Sequence, residues 1–308
     1  MIKTITSSKS LRAALAVFIS CSFICIGCAT SSAGNVKDRG PSIADDSRKE
    51  SYVNGIIYQL SAEVKGLQMQ AFKLARIRLE ERLKEQAQGK YSKPLAIISD
   101  LDETILSDTM YLADAVQRPE AWDNGPLDEH YYTALTSTAC KAIPGAVDFF
   151  NYASSKGVEL FYITNREPDK GELTVKQLQW LGFPNADKDH IQVKLQDGSS
   201  NKTQRRNNVL KDHDVIMYLG DNIGDFTGDF KYELGPVKRT ELALQAPYTD
   251  FWGDKWIVLP NATYGSYVTT VWYGDKTADA KKRVEYIKQL FDSVKFTNTE
   301  KFSIWYKE

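Results

Sequence analysis

The chain has 308 residues, 42% hydrophobic and 26% charged, with a formal net charge of −1. This is globular composition, which excludes a disordered or collagen-like chain. A charge balance this close to zero also excludes the net basic domain that a nucleic-acid polymer would require.

The N-terminal segment stands apart. Lys3, Lys9 and Arg12 precede an apolar run from Ala13 to Ile26 that ends at Gly27-Cys28, and the first acid is Asp38. A basic start, a short apolar core and a small residue predict a secretory signal over residues 1–27. The run falls short of the ~20 apolar residues a membrane-spanning helix needs. Gly27-Cys28 resembles the end of a bacterial lipoprotein signal, although Cys25 stands where that signal usually has Leu. The resemblance implies lipid on Cys28 and an exported protein anchored at the outer membrane or cell surface of a bacterium. With Cys21 and Cys25 removed and Cys28 lipidated, only Cys140 remains, so no internal disulfide is expected. Small polar residues then predict a flexible tether over 28–48, ahead of a folded domain over 49–308.

From Tyr52 to about Gln88 the pattern is helical. Val64, Leu67, Ala71, Leu74 and Ile77 recur at three- and four-residue steps, which predicts a surface helix laying these side chains on a core and carrying no chemistry. Gly89 marks its end. Four short apolar runs follow: Pro94 to Ser99, Val158 to Ile163, Val215 to Leu219 and Trp256 to Leu259. Such runs read as strands buried on both faces. Helical stretches at Ala146–Lys156, Glu172–Leu181 and Thr203–Lys211 separate them. The alternation predicts an α/β fold, a parallel sheet with helices on both faces.

Ligands bind such sheets at the carboxyl ends of the strands. The first strand is followed by Asp100-Leu101-Asp102-Glu103-Thr104, the second by Thr164-Asn165-Arg166, and the third by Gly220-Asp221-Asn222-Ile223-Gly224-Asp225. Asp100 and Asp102, two residues apart, are expected side by side at a strand tip. Acids crowded from neighbouring tips repel unless a cation neutralises them. Oxygen ligands favour a hard ion, and Mg2+ combines one or two carboxylates with substrate phosphate. One carboxylate can attack phosphorus, and the other can protonate the leaving oxygen and then activate water. The Thr164 hydroxyl is suited to cradling phosphate oxygens.

Other phosphatase chemistries lack their residues. There is no Arg-His-Gly, Cys140 is followed six positions later by Ala146 and not Arg, and His130, His190 and His213 are scattered. No Gly-x-Ser-x-Gly marks a serine hydrolase.

Asp100-Leu-Asp102-Glu-Thr, Thr164 after an apolar strand, a lysine, and Gly-Asp-Asn-x-x-Asp225 resemble, in order, the four motifs of haloacid-dehalogenase-type phosphatases. Tyr111, Ile143-Pro-Gly-Ala-Val, Tyr162-Ile-Thr-Asn-Arg166, Tyr218-Leu-Gly-Asp-Asn and Val258-Leu-Pro-Asn-Ala-Thr-Tyr-Gly narrow the resemblance to class C acid phosphatases. Within these, the chain is similar to the outer-membrane lipoprotein e group, acid phosphatases with 5′-nucleotidase activity.

The resemblance implies a Rossmann-like sheet with a small, mostly helical cap inserted at about 106–142. It makes Asp100 the nucleophile and Asp102 the general acid/base. Mg2+ would rest on Asp100, the backbone carbonyl of Asp102 and Asp221, with Asp225 as a further ligand or a loop support. Thr164, Asn165 and Lys202 would bind phosphate. Lys202 is preferred over Lys194 and Lys211 for its Lys-x-x-Arg setting, in which Arg205 is expected to pair structurally with a site acid. Tyr131 and Tyr264 would stack on a nucleobase or nicotinamide ring. The expected partners are small-molecule phosphomonoesters, the membrane through the lipid, and a second copy of the chain in a homodimer. The rival reading is a non-catalytic surface lipoprotein, a binding module on a phosphatase fold.

Overall fold

A computed structural model describes residues 47–117 and 140–270, together with Glu285 and Lys288. The expected signal, Cys28, nearly all of the tether, and residues 118–139 of the expected cap, Tyr131 among them, lie outside the described residues.

The sheet is five-stranded and parallel throughout. In chain order the strands are β1 (Leu95–Ser99), β4 (Glu159–Ile163), β5 (Ile191–Gln192), β6 (Asp214–Gly220) and β7 (Trp256–Val258), arranged β5-β4-β1-β6-β7. β1 is central, so its side chains have no exposed face, and every residue of Leu95–Ser99 is buried. Alternation then divides them. Leu95 and Ile97 join Phe72, Leu79, Phe150 and Leu178 in one core, while Ala96 and Ile98 join Phe161, Val209, Phe226 and Trp256 in the other. The helices that supply these faces are α2 (Ala62–Ala87), α4 (Ala146–Ser155), α5 (Gly171–Leu181), α6 (Thr203–Asp212) and α7 (Ile223–Phe226). The chain leaves β1 toward β4 on one side and returns to β6 on the other. The crevice at their carboxyl ends is the switch point where such sheets bind ligands.

Several expectations change. The single helix over 52–88 is two, α1 (Ser47–Gln59) and α2, because Ser61 takes the N-cap position and accepts a hydrogen bond from Val64 N at 3.2 Å. The buried stripe of α2 is Val64, Gln68, Ala71, Phe72, Ala75 and Leu79. Leu67 and Ile77, expected on the core, are 42% and 56% exposed. Phe72 and Leu79 pack into the core beside Ala71 and Ala75, so the inward face mixes large and small side chains and is not marked by size. Tyr111, inside the span expected to be cap, is buried in the main core.

Two short strands, β2 (Leu106–Ser107) and β3 (Lys141–Ala142), pair antiparallel and bring together the two ends of the expected cap insertion. Helix α3 (Thr109–Ala115) follows β2 directly. Helices α8 (Gly235–Ala243), α9 (Tyr248–Phe251) and α10 (Ser266–Thr270) complete the described α-helices. These pieces, like β5, are too short to leave a clear periodicity in the sequence.

Candidate active site

The tips of β1, β4, β6 and β7 build one site. Asp100 N donates to Leu219 O at 3.0 Å, and Leu259 N donates to Gly220 O at 2.8 Å, which stitches three strand ends together. After Asp100 the chain turns back so tightly that Leu101 O accepts from Thr104 N, Ile105 N and Leu106 N. Glu103 occupies the left-handed region at φ 56°, which costs a residue with a Cβ about 1–2 kcal/mol. Its fully buried carboxylate holds the turn. Oε2 accepts from Gln59 Nε2 at 2.6 Å, and Oε1 accepts from Asp108 N at 2.7 Å and Thr109 Oγ1 at 3.2 Å. Gln59 Nε2 also reaches Pro260 O at 3.1 Å, so α1 braces the loop that follows β1, contrary to the expectation that this helical region has no part in the site.

Asp100 and Asp102 do not share a partner. Lys202 Nζ lies 2.5 Å from Asp100 Oδ1 and 2.7 Å from Asp225 Oδ1. Asp102 instead forms a two-pronged pair with Arg166, Nη2 to Oδ1 at 2.6 Å and Nε to Oδ2 at 3.1 Å. The competing lysines are engaged elsewhere, Lys194 with Glu167 and Lys211 with Asn208. Of the three lysines, Lys202 is the one beside Asp100 and on the cavity.

Burial pushes the Asp100 carboxyl up to about 6; the Lys202 ammonium opposes this, and the Asp225 and Asp102 charges add to it. Asp221 is raised well above the usual carboxylate range by burial, then by Asp225 and Asp100. Its hydrogen-bond donors are neutral, Thr104 Oγ1 at 3.1 Å and Asn261 Nδ2 at 2.8 Å. Oxygens of Asp100, Asp221 and Asp225 lie within 4.8 Å of one another. Three carboxylates against one lysine leave excess negative charge, and an all-oxygen donor set of this kind fits a hard divalent cation.

Asp225 has both oxygens engaged. Oδ1 takes Lys202, and Oδ2 accepts from Asn222 N at 2.9 Å as half of the capping box that starts α7.

Asp100, Asp102, Asn165, Lys202, Asp221, Asp225 and Tyr264 line one cavity of about 650 Å³. Thr164 does not. It is fully buried, its hydroxyl lying 3.4 Å from Asp102 Oδ2 and accepting from Arg166 N at 3.2 Å. Among the described residues Arg205 hydrogen-bonds no acid. It donates to Thr164 O at 2.5 Å and Asn165 Oδ1 at 2.6 Å, which leaves the Asn165 amide donors for a ligand. Tyr264 OH donates to Asp108 Oδ2 at 3.2 Å. Thr104, Arg166 and Asn261 carry no role in the sequence alone, although all three sit inside the quoted motifs.

The family model for the HAD superfamily, subfamily IIIB (acid phosphatase), matches residues 29–267. A class C acid phosphatase from Bacillus anthracis with tungstate bound is similar at 28% identity and a TM-score of 0.67, covering 79% of this chain and 97% of that one. A second structure of the Bacillus anthracis class C acid phosphatase gives the same identity and TM-score, with 79% and 96% covered. A Bacillus cereus protein named "Putative nucleotidase" is 41% identical over 61 residues, and the match spans 20% of this chain and 30% of that relative.

Proposed function

Because the chain belongs to the acid phosphatases of HAD subfamily IIIB and is a phosphomonoester hydrolase, we propose that it cleaves nucleoside monophosphates and related esters through a phosphoryl-Asp100 intermediate. The observation that carries this reading is the placement of Asp100, held by Lys202, on the same cavity as Asp102, held by Arg166. On this reading Asp100 attacks and Asp102 transfers the proton.

In the first half-reaction an Asp100 oxygen attacks phosphorus as the ester P–O bond breaks, and Asp102 gives its proton to the leaving oxygen. In the second, water attacks the same phosphorus, Asp102 takes the water's proton, and the Asp100–phosphorus bond breaks to release inorganic phosphate. Lys202 offsets charge on the transferring group, and the Asn165 amide donates to its oxygens. Mg2+ would rest on Asp100, Asp221 and the Asp102 carbonyl, with Asp225 holding Lys202 and the loop. When bound it supplies Lewis-acid stabilisation of the phosphoryl oxygens. Tungstate in the Bacillus anthracis structure supports an oxyanion site of this class. Tyr264, at the cavity wall, is the proposed stacking surface for a base or nicotinamide ring.

Export rests on the N-terminal sequence alone. We assign residues 1–27 as signal and Cys28 as the lipidated residue of an outer-membrane or surface protein. A mass shift on the mature N-terminus that disappears in Cys28→Ser tests it.

Phosphate release from AMP, nicotinamide mononucleotide and p-nitrophenyl phosphate, with Mg2+ and with EDTA, tests the reaction. Turnover that needs metal and disappears in Asp100→Asn is expected. Full turnover in EDTA would remove the metal, and full turnover in Asp100→Asn would remove the nucleophile. No turnover of any ester by folded, metal-loaded protein would instead favour the non-catalytic binding module.

A further inference from the structure

Arg166 is 1% exposed, yet it lines the cavity and grips Asp102. Its fork engages both carboxylate oxygens, Oδ1 at 2.6 Å and Oδ2 at 3.1 Å. The guanidinium is itself fixed from α5, with Nη1 donating to Gln177 Oε1 at 2.6 Å and Thr174 Oγ1 at 3.3 Å. Both partners are anchored in turn, Thr174 Oγ1 on Lys170 O at 2.9 Å and Gln177 Nε2 on Cys140 Sγ at 2.9 Å.

We propose that Arg166 is a positioning residue: its guanidinium, seated on Gln177 and Thr174, sets the rotamer of Asp102 for proton transfer to the leaving oxygen and does not serve as a phosphate ligand. The proposal rests on the general acid/base reading of Asp102 above.

The Asp102 side chain is 17% exposed and follows a tight turn, so it has room to choose among staggered rotamers. Proton transfer requires a heavy-atom approach of about 2.6–3.2 Å, and a misplacement near 1 Å can cost about 100-fold. A planar, two-pronged donor fixes both the position and the plane of a carboxylate, which a lysine ammonium does not. Thr164 Oγ1, 3.4 Å from Asp102 Oδ2, adds a third constraint from the same strand tip. The phosphate-ligand alternative has few donors left to use. Four of the five guanidinium N–H groups are committed to Asp102, Gln177 and Thr174.

This assignment has a kinetic signature tied to the leaving group. As the Asp100–phosphorus bond forms and the ester P–O bond breaks, a departing alkoxide needs the Asp102 proton, whereas p-nitrophenolate is stable enough to leave without it. A displaced Asp102 therefore penalises alkyl esters selectively. kcat/KM isolates this first bond cleavage from the later hydrolysis of the phosphoryl enzyme.

The experiment compares Arg166→Met, Arg166→Lys, Gln177→Met and Asp102→Asn on β-glycerophosphate and p-nitrophenyl phosphate, with inorganic phosphate as inhibitor. Arg166→Met should lower kcat/KM for β-glycerophosphate by about 100-fold and for p-nitrophenyl phosphate far less, with phosphate inhibition retained. Arg166→Lys should restore little, and Gln177→Met should show the same selectivity in weaker form. Equal losses on both esters with weakened phosphate inhibition would make Arg166 a phosphate ligand and overturn the proposal. Selectivity in Asp102→Asn but in neither Arg166→Met nor Gln177→Met would also overturn it while leaving the acid/base reading intact. Absence of selectivity in Asp102→Asn would overturn the acid/base reading itself. If Arg166→Met does not fold, Gln177→Met decides: unselective kinetics there count against positioning.

Discussion

The side chain of Asp225 fills the space that a Cβ on Gly220 would need. A methyl group there would stand 2.4 Å from Asp225 Cβ and 2.5 Å from its Oδ2. Gly220 ends β6 and Asp225 is the acid of the α7 capping box, so strand tip and loop close on each other only with glycine at 220.

Gly220→Ala should therefore act through Asp225. The carboxylate must leave Asn222 N, and with it the Lys202 contact at 2.7 Å. Overpacking of this kind typically costs about 1–3 kcal/mol. Chemical denaturation should show that loss, with a drop in kcat that exceeds the change in KM because Lys202 is released. Unchanged kcat in a destabilised protein would mean that Lys202 keeps its place without Asp225.

Lys202→Met tests the clamp directly. Removing a single preorganised charge donor of this type costs about 100- to 1000-fold in kcat. Lys194→Met, which removes a partly buried lysine paired with Glu167, should leave turnover near that of the unaltered protein. Comparable losses in the two variants would show that local charge, and not the Lys202 geometry, matters.

The raised carboxyls give the metal-free protein a defined pH dependence. Asp100 titrates near 3.8 when exposed and at about 6 in the fold, chiefly through burial. The folded state therefore binds more protons than the unfolded state between those values, so ionisation of this group lowers stability as pH rises through that window. Asp221 shifts in the same direction. In EDTA, Tm should fall between pH 4 and pH 6 relative to an Asp100→Asn control. Mg2+ should raise Tm more at pH 7, where the carboxylates are ionised, than at pH 4. A Mg2+ shift independent of pH would argue against carboxylate ligation at this site.

The strands were legible because four apolar runs are buried along nearly all their length, Val258 of the edge strand β7 being the exposed exception, and three of their tips carry the acids, Thr164 and Asn165. Partner choice was not legible. Asp100 and Asp102 look equivalent in sequence, and only the return of the chain to β4 and to the start of α6 gives one an arginine and the other a lysine. Asn261 was within reach of the same argument, since it follows β7 as Asp221 follows β6. The inward face of α2 was legible in part: Val64 and Ala71 are buried and Leu74 packs on the core, while Leu67 and Ile77 face out and Phe72, Ala75 and Leu79 take their place. Gln59 gave no signal at all, because its partner Glu103 lies 44 residues away and both are polar.

That pair makes its own prediction. Gln59→Leu deprives the buried Glu103 carboxylate of its 2.6 Å donor, and an unsatisfied buried polar group costs about 1–3 kcal/mol, more when charged. The left-handed turn at Glu103 should loosen, so Tm and kcat should fall together although Gln59 touches neither Asp100 nor Asp102. Glu103→Gln in the same background should recover part of the stability, because it removes the charge that lost its donor. No recovery would indicate that Gln59 acts mainly through Pro260 O.

Tyr264 separates ring from hydroxyl. Its OH donates to Asp108 Oδ2 at 3.2 Å, and its ring borders the cavity. Stacking on a base is worth about 1–3 kcal/mol, so Tyr264→Ala should raise KM for AMP by about 5- to 150-fold and leave KM for β-glycerophosphate, which has no ring, nearly unchanged. Tyr264→Phe keeps the ring and loses the Asp108 contact, so it should retain most of the AMP affinity. If Phe behaves like Ala, the Asp108 hydrogen bond fixes the cavity wall and stacking has no part. If both variants weaken the two esters equally, Tyr264 supports the site without reading the leaving group.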